Sequence, residues 1–373
     1  MKTICIVHFQ PLEKYPPAFN FLRCIEKGGF SKDQIHVITT SPPSSFTEIN
    51  IPGVTIHRVS LPENASRSRR LFFYLNFHYR CWDLLKRLKP VAVLYYETLS
   101  AFAPVLYKQL GNTKLMLLSH YHEYTSPAEY QNGMIVNRLF HLIETPAYSK
   151  MSWVSHTNEN RARLFRKDLA EKSPAEIAIV PNYPPDEWTQ RAKLKKQQPD
   201  SKIQFVYVGA LSDDTMYVSE LFRWIDDNQE RYSLTIYTDN YEPNVMNLLS
   251  QFTAGNIHFK GAISYDKLPE VLPGYDVGLI LYRGTTFNYT YNAPNKFFEY
   301  LNCGLNVIYP SVMVGMDEYK TVYPDQQILS VDFSKLEKLE LDLQKKPGCF
   351  SPDTQCTAEQ SFGPLIAQLT KNL

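Results

Sequence analysis

Paired cysteines and long apolar runs are what this 373-residue chain lacks. Its six cysteines stand at 5, 24, 81, 303, 349 and 356 with no C-x-x-C pair. That spacing argues against a zinc site or a disulfide framework and suits a reducing compartment. Cys5 and Cys303 lie in apolar runs and read as small buried hydrophobes. No apolar stretch reaches the roughly 18 residues of a membrane span. The opening run from Met1 to Val7 is short for a secretory leader and is closed by His8, Gln10 and Pro11. It reads as a first buried strand, so a cytoplasmic chain is expected and the sequons at Asn64 and Asn288 carry no meaning. The net charge is only +1, which gives no global field for nucleic acid. No P-loop, G-x-G-x-x-G or G-x-S-x-G string occurs, which excludes the P-loop kinase, Rossmann dehydrogenase and serine hydrolase readings.

What is present points to an α/β protein. The length exceeds one ordinary core and suffices for two domains. Aromatic residues make up 13% of the chain, which reads as an aromatic-rich core. In the first half, apolar strand-like runs over 3–9, 34–39, 54–59, 91–96, 114–119, 151–155 and 177–180 alternate with helical stretches such as 18–27, 70–88 and 136–149. A polar stretch with two prolines and several lysines follows and reads as a linker. The alternation then restarts, with strands over 204–208, 233–237, 257–260, 277–281 and 306–309. Helices are expected over 215–228, 244–252, 265–272 and 296–303. The expectation is two doubly wound Rossmann-like domains facing a cleft, over 1–183 and 203–350, joined by a linker over 184–202. A tail over 351–373, helical from 358 to 369, would be free to pack back on the first domain.

One string carries chemistry. A buried strand from Asp276 leads into a polar, aromatic loop containing Tyr282 and Arg283, and then into a helix near Pro294. Pro294 suits the first turn, Asn292 or Asn295 can cap, and Gly304 suits a left-handed stop. The amino end of such a helix favours an anion such as a diphosphate. Lys296 and Glu299 are three apart and share a face. Lys296 can neutralise phosphate, and Glu299 can accept two hydrogen bonds from a ribose diol. Alone, the pair reads first as a surface i,i+3 ion pair, and the order of the whole string favours the site.

The order Pro294, Lys296, Glu299, Tyr300, Gly304, Val307, Ile308 resembles the donor-binding segment of GT-B glycosyltransferases, in particular the family 4-like enzymes of bacterial polysaccharide and cell-surface glycan assembly. Asn306 stands where the pattern has proline. Val206 to Ala210, with Gly209 at the turn, resembles the entry to the family's second domain, and Ile179 to Asn182 its interdomain passage. The resemblance implies a GT-B fold and transfer of a sugar, with retention, from a nucleotide diphosphate donor to a glycan or lipid-linked glycan hydroxyl. Glu299 would hold the ribose and Lys296 the diphosphate, with Asn295, Pro294, Tyr282 and Gly209 around the donor; Arg283 is either a further diphosphate partner or a solvated loop residue. The resemblance implies no cofactor beyond the nucleotide-sugar co-substrate. The other large glycosyltransferase fold holds a metal with Asp-x-Asp, and that triplet is missing, so no metal is expected. The chain departs from the family after Gly209: residues 211–217 include Asp213 and Asp214 and no basic residue.

On the acceptor side, His120, His122 and Glu123 follow an apolar strand. Each histidine is either a proton carrier in catalysis or a satisfied core group. Glu97 ends another strand and would line the same cleft. Residues 67–89 form a basic aromatic run with Asp83 as its single acid. That run either rests on an anionic membrane, at the inner face of the cytoplasmic membrane, or packs its aromatics inward. Two rivals share the architecture: a sugar-nucleotide epimerase, and a catalytically degenerate partner subunit.

Overall fold

The computed structural model describes residues 2–28, 30, 34–44, 46–60, 67–169, 176–193, 202–252, 255–323, 326–339, 341, 356–371 and 373, with only the backbone at 67–70 and 193. The chain divides into two compact units, Met1–Asn182 with Ala358–Leu373, and Tyr183–Thr357.

The first unit is built on seven strands: β1 (Ile4–His8), β2 (Ile35–Thr40), β3 (Val54–Val59), β4 (Ala92–Tyr96), β5 (Met116–Tyr121), β6 (Trp153–His156) and β7 (Ala178–Ile179). They lie in the order β3-β2-β1-β4-β5-β6-β7, and every pair is parallel. Alternation of side chains sends Cys5 and Val7 of β1 into one core and Ile4 and Ile6 into another. A strand buried on both faces therefore reads as a continuous apolar run. The helices α1 (Pro16–Lys27), α2 (Arg67–Leu88), α3 (Ile135–Glu144) and α4 (Glu159–Leu169) belong to this unit. The helix expected to reach residue 149 ends at Glu144 and tightens into a 3-10 turn, Thr145–Lys150, because Pro146 cannot continue the α-helical ladder. Strand β5 runs two residues beyond its expected end, so His120 pairs inside the sheet with Tyr96 and Ser155.

The second unit carries β8 (Ile203–Val208), β9 (Tyr232–Tyr237), β10 (Ile257–Lys260), β11 (Val277–Leu279), β12 (Asn306–Pro310) and β13 (Ile328–Val331), the last not foreseen in the sequence. Their order is β10-β9-β8-β11-β12-β13, again all parallel. Its helices include α5 (Asp186–Lys193), α6 (Val218–Asp227) and α7 (Asn295–Asn302). Helix α5 lies inside the segment expected to be a linker. Its Trp188 is buried 4.7 Å from the Tyr265 ring, so apolar burial overrides the polar composition there. The remainder of that segment, including Lys195, Lys196, Pro199 and Asp200, lies outside the described residues. The last helix, α8 (Ala358–Thr370), packs in the first unit. Phe362 meets Phe21 of α1 edge-on at 5.2 Å, and Glu359 pairs with Lys27 at 2.6 Å.

In both sheets the strand order reverses beside the first strand, between β1 and β4 and between β8 and β11. Ligands of doubly wound sheets bind beyond the carboxyl ends of the strands at such switch points. Each unit thus has one topologically preferred site.

Candidate functional site

In the second unit the preferred place lies beyond Val208 and Leu279. Helix α7 is brought there by a close approach. Tyr300 lies over Gly278 of β11, where an added Cβ would stand 2.2 Å from the Tyr300 ring. The Tyr300 hydroxyl accepts a hydrogen bond from the Val208 backbone N–H at 3.0 Å. The carboxyl end of β8 and the first turns of α7 are therefore locked together. Gly304, at φ 82°, lets the chain leave the helix for β12. Neither asparagine caps α7. Asn295 is its first residue, and Pro294, extended at φ −71° and ψ 154°, occupies the cap without a side-chain bond.

Lys296 lies against the turn after β8. Its Nζ donates to the Tyr207 hydroxyl at 3.1 Å and sits 4.3 Å from the Tyr207 ring centroid and 5.6 Å from that of Tyr282. Tyr207 donates in turn to the Ala210 carbonyl at 2.7 Å. Gly209 adopts φ 128°, and an added Cβ would stand 2.8 Å from Lys296 Nζ. Only glycine both adopts this backbone and leaves the ammonium its place. Tyr282 also stacks on Tyr289 with centroids 4.8 Å apart.

Glu299 is 7% exposed, and among the described residues its carboxylate receives no hydrogen bond and lies beyond ion-pair distance of Lys296. The surface ion-pair alternative is thereby removed. Burial pushes the Glu299 pKa up to about 7, with the Lys296 charge opposing. A buried acid without a donor is costly unless something else satisfies it.

Arg283 is engaged away from Lys296. Both terminal nitrogens are held by the Glu220 carboxylate at 2.8 Å, the guanidinium lies 4.4 Å from the Tyr217 centroid, and Nε donates to the Asp213 carbonyl. It clamps the loop after β11 to the first turn of α6, and a diphosphate would have to break that fork. Asp213 of the acidic turn is also engaged, because its carboxylate accepts from the Ser219 N–H at 2.9 Å and from its hydroxyl. Of the donor residues named from sequence, Gly209, Tyr282 and Lys296 converge at the switch point, and Pro294, Asn295 and Glu299 lie on the adjoining turns of α7.

In the first unit a pocket of about 210 Å³ opens at the corresponding place, lined among others by His8, Gln10, Tyr15, Glu97, Glu123 and Asn137. Glu97 follows β4 with φ 62°, a region a glutamate rarely adopts. Its Oε1 accepts the N–H groups of His122 at 2.6 Å and Glu123 at 3.3 Å. Burial foremost, and then the charge of Glu123, push its pKa up to about 8. This residue, weighed only lightly in the sequence, is the ionisable group the pocket singles out. The signal that points to it is its position at a strand end beside the switch point.

His120 and His122 do not stand open at a strand end. His120 is fully buried with Nδ1 2.8 Å from the Ser155 hydroxyl, and burial lowers its pKa to about 3. His122 stacks on Tyr96 with centroids 5.2 Å apart, its Nδ1 is 3.0 Å from the Asn182 side-chain oxygen, and burial holds its pKa well below the usual range. Both rings are enclosed and neutral at physiological pH. Extension of β5 through Tyr121 is the reason: it carries His120 into the sheet and His122 onto the same face. Glu123 lines the pocket mouth and is exposed.

No protein-family model matches the sequence, and no curated protein sequence matches it. Solved structures do match. Sucrose-phosphate synthase from Thermosynechococcus elongatus superposes with a TM-score of 0.65 at 14% identity, over 99% of this chain and 91% of that one. WaaG, a glycosyltransferase involved in lipopolysaccharide biosynthesis, gives 0.62 at 12%, over 100% and 98%. UDP-GlcNAc 2-epimerase from Neisseria meningitidis bound to UDP-GlcNAc gives 0.53 at 12%, over 90% and 89%. The chain has the GT-B fold of two Rossmann-like domains. Identities this low carry the fold and not the activity.

Proposed function

We propose that the protein is a glycosyltransferase of the family 4-like type that moves a sugar from a nucleoside diphosphate donor to a hydroxyl of a glycan or lipid-linked glycan, with retention and without a metal ion. The observation that carries this reading is the unpaired Glu299 carboxylate in the wall of the second unit's switch point, one helical turn from Lys296. A ribose diol would supply the two donors that Glu299 lacks. Lys296, held over Gly209, would meet the diphosphate and the charge that grows on it as the glycosidic bond breaks. The amino end of α7 adds backbone N–H groups on the same side. Pro294 and Asn295 shape that end, and Tyr282 offers an aromatic wall. The acceptor would occupy the pocket of the first unit, where Glu97, holding its proton near neutral pH, can bind a sugar hydroxyl beside Glu123. His120 and His122 support that wall from behind. A cytoplasmic location is part of the same proposal.

Epimerases with the same fold make a second reading concrete, and the closely placed Glu97 and Glu123 favour it by offering two carboxyl groups at one pocket. A panel of nucleoside diphosphates, followed by thermal shift on the wild type and on Glu299→Ala, tests the first step. The expected result is stabilisation of the wild type by one or more nucleotides and loss of that response in the variant. If no nucleotide stabilises the wild type, the proposal fails and a degenerate partner subunit is favoured. An equal response in both proteins removes Glu299 from the site. Release of nucleotide only when an acceptor is added separates transferase from epimerase.

A further inference from the structure

The charged aromatic segment over 67–89 gains a neighbour in the folded protein. On α2, Phe77, Cys81 and Leu85 are buried at helical spacing, while Leu71, Phe72, Leu75 and Tyr79 are exposed. On α3, Val136, Phe140 and Glu144 are buried, while Ile135, Leu139 and Leu142, preceded by Met134, form a second apolar stripe that faces water. A surface helix ordinarily has one apolar stripe and turns polar residues outward. The Tyr74 hydroxyl meets Met134 Sδ at 3.8 Å, which joins the two stripes. Half of the large hydrophobics exposed among the described residues therefore lie on this one face, far more than scattered exposure would put there.

Charge decides what fits it. Arg80, Lys86 and Arg138 are exposed on the same two helices. Among their described side chains the carboxylates are Asp83, paired with Arg87 at 2.7 Å, and the fully buried Glu144. Apolar side chains with exposed cations and almost no free anion match the headgroup layer of an anionic bilayer. The side chains of Arg67, Arg69 and Arg70 lie outside the described residues.

We infer that the joined face of α2 and α3 docks on an anionic lipid surface, with Phe72, Leu75, Leu139 and Leu142 entering the interface and Arg80 and Arg138 meeting headgroups. Helix α3 also sends Asn137 to the pocket at the carboxyl edge of the sheet, so the docking face and that pocket share an element. The inference stands without the transferase reading, because binding to vesicles is measured with no substrate.

Co-sedimentation of the full chain with phosphatidylcholine vesicles, with and without about one-third phosphatidylglycerol, tests it. Binding is expected to the anionic vesicles, to fall at least severalfold in high salt, and to fall about tenfold or more in Phe72→Ser/Leu139→Ser. Arg138→Glu should reduce binding without touching the apolar face. Circular dichroism and sedimentation velocity on each variant check the fold and the oligomeric state. Absence of wild-type binding overturns the inference, as does binding that neither variant changes. A wild-type dimer that ignores vesicles and that Phe72→Ser/Leu139→Ser dissociates also overturns it, and assigns the face to a second copy of this chain.

Discussion

The two switch points use one topology but leave different groups without a partner, imidazole nitrogens in the first unit and a carboxylate in the second. In the first unit Glu97 accepts backbone N–H groups, and His120 and His122 bond Ser155 and Asn182 through Nδ1, while Nε2 of His8, His120 and His122 is buried with no partner among the described residues. In the second, Lys296 and Glu299 stay apart, and the carboxylate has no donor among the described residues. An unsatisfied carboxylate holds back interaction energy until a ligand arrives. The comparison teaches that shared strand order fixes where ligands can bind, while a few side chains decide what charge they carry.

The largest expected effect follows from removing the unsatisfied group. Glu299→Ala should weaken nucleoside diphosphate binding by roughly tenfold to a hundredfold, since a charged acceptor contributes about 1.5–3 kcal/mol. Isothermal titration calorimetry checks it, and unchanged affinity would erase the contrast between the units. Binding should also tighten between pH 6 and 8 as Glu299, near pKa 7, ionises. The isosteric Glu299→Gln corrects for titration of the diphosphate itself.

Next in size is Lys296→Ala. It should weaken a nucleoside diphosphate about tenfold while leaving the bare nucleoside within twofold, because in the proposed site the ammonium would meet only the phosphates. An equal loss for both ligands would move Lys296 to a purely structural role beside Tyr207.

In the first unit the effect should appear in stability and its pH dependence. Glu97 has a folded pKa near 8 against an ordinary value of 4.5, so the folded chain keeps its proton longer than the unfolded chain does. That contribution is complete below about 4.5, falls as pH rises towards 8, and is flat above. Urea unfolding across this range should show Glu97→Gln holding its stability while the wild type loses some. Parallel profiles would mean that the carboxyl is not as enclosed as its geometry indicates.

The smallest effect on ligand binding belongs to Arg283→Ala. With the guanidinium committed to Glu220, nucleotide affinity should change less than about threefold, and stability should fall by about 1 kcal/mol. A large loss of affinity would return Arg283 to the donor site and soften the distinction drawn here.

Much of the fold was legible because parallel strands buried on both faces leave continuous apolar runs, as β1, β4 and β12 do. Strand β13 escaped notice because its four residues have only one buried position. Helix α5 escaped because Trp188 is a single apolar anchor in polar company. The same limit applies to the site. Spacing along α7 was enough to name Lys296 and Glu299 together. Spacing could not tell an ion pair from two unpaired charges, because that depends on where Tyr207, Gly209 and Tyr300 hold the helix. Nor could it tell that Arg283 is spent on Glu220, 63 residues away in the chain.

By itself, then, the sequence determined the two wound domains, the helix that follows β11, and the residue types placed at its mouth, since hydrophobic period and turn chemistry are local properties. Only the tertiary structure decided which of those charges are free. Partners such as Glu220, Ser155 and Asn182 come from distant segments, and burial sets whether a carboxyl keeps its proton.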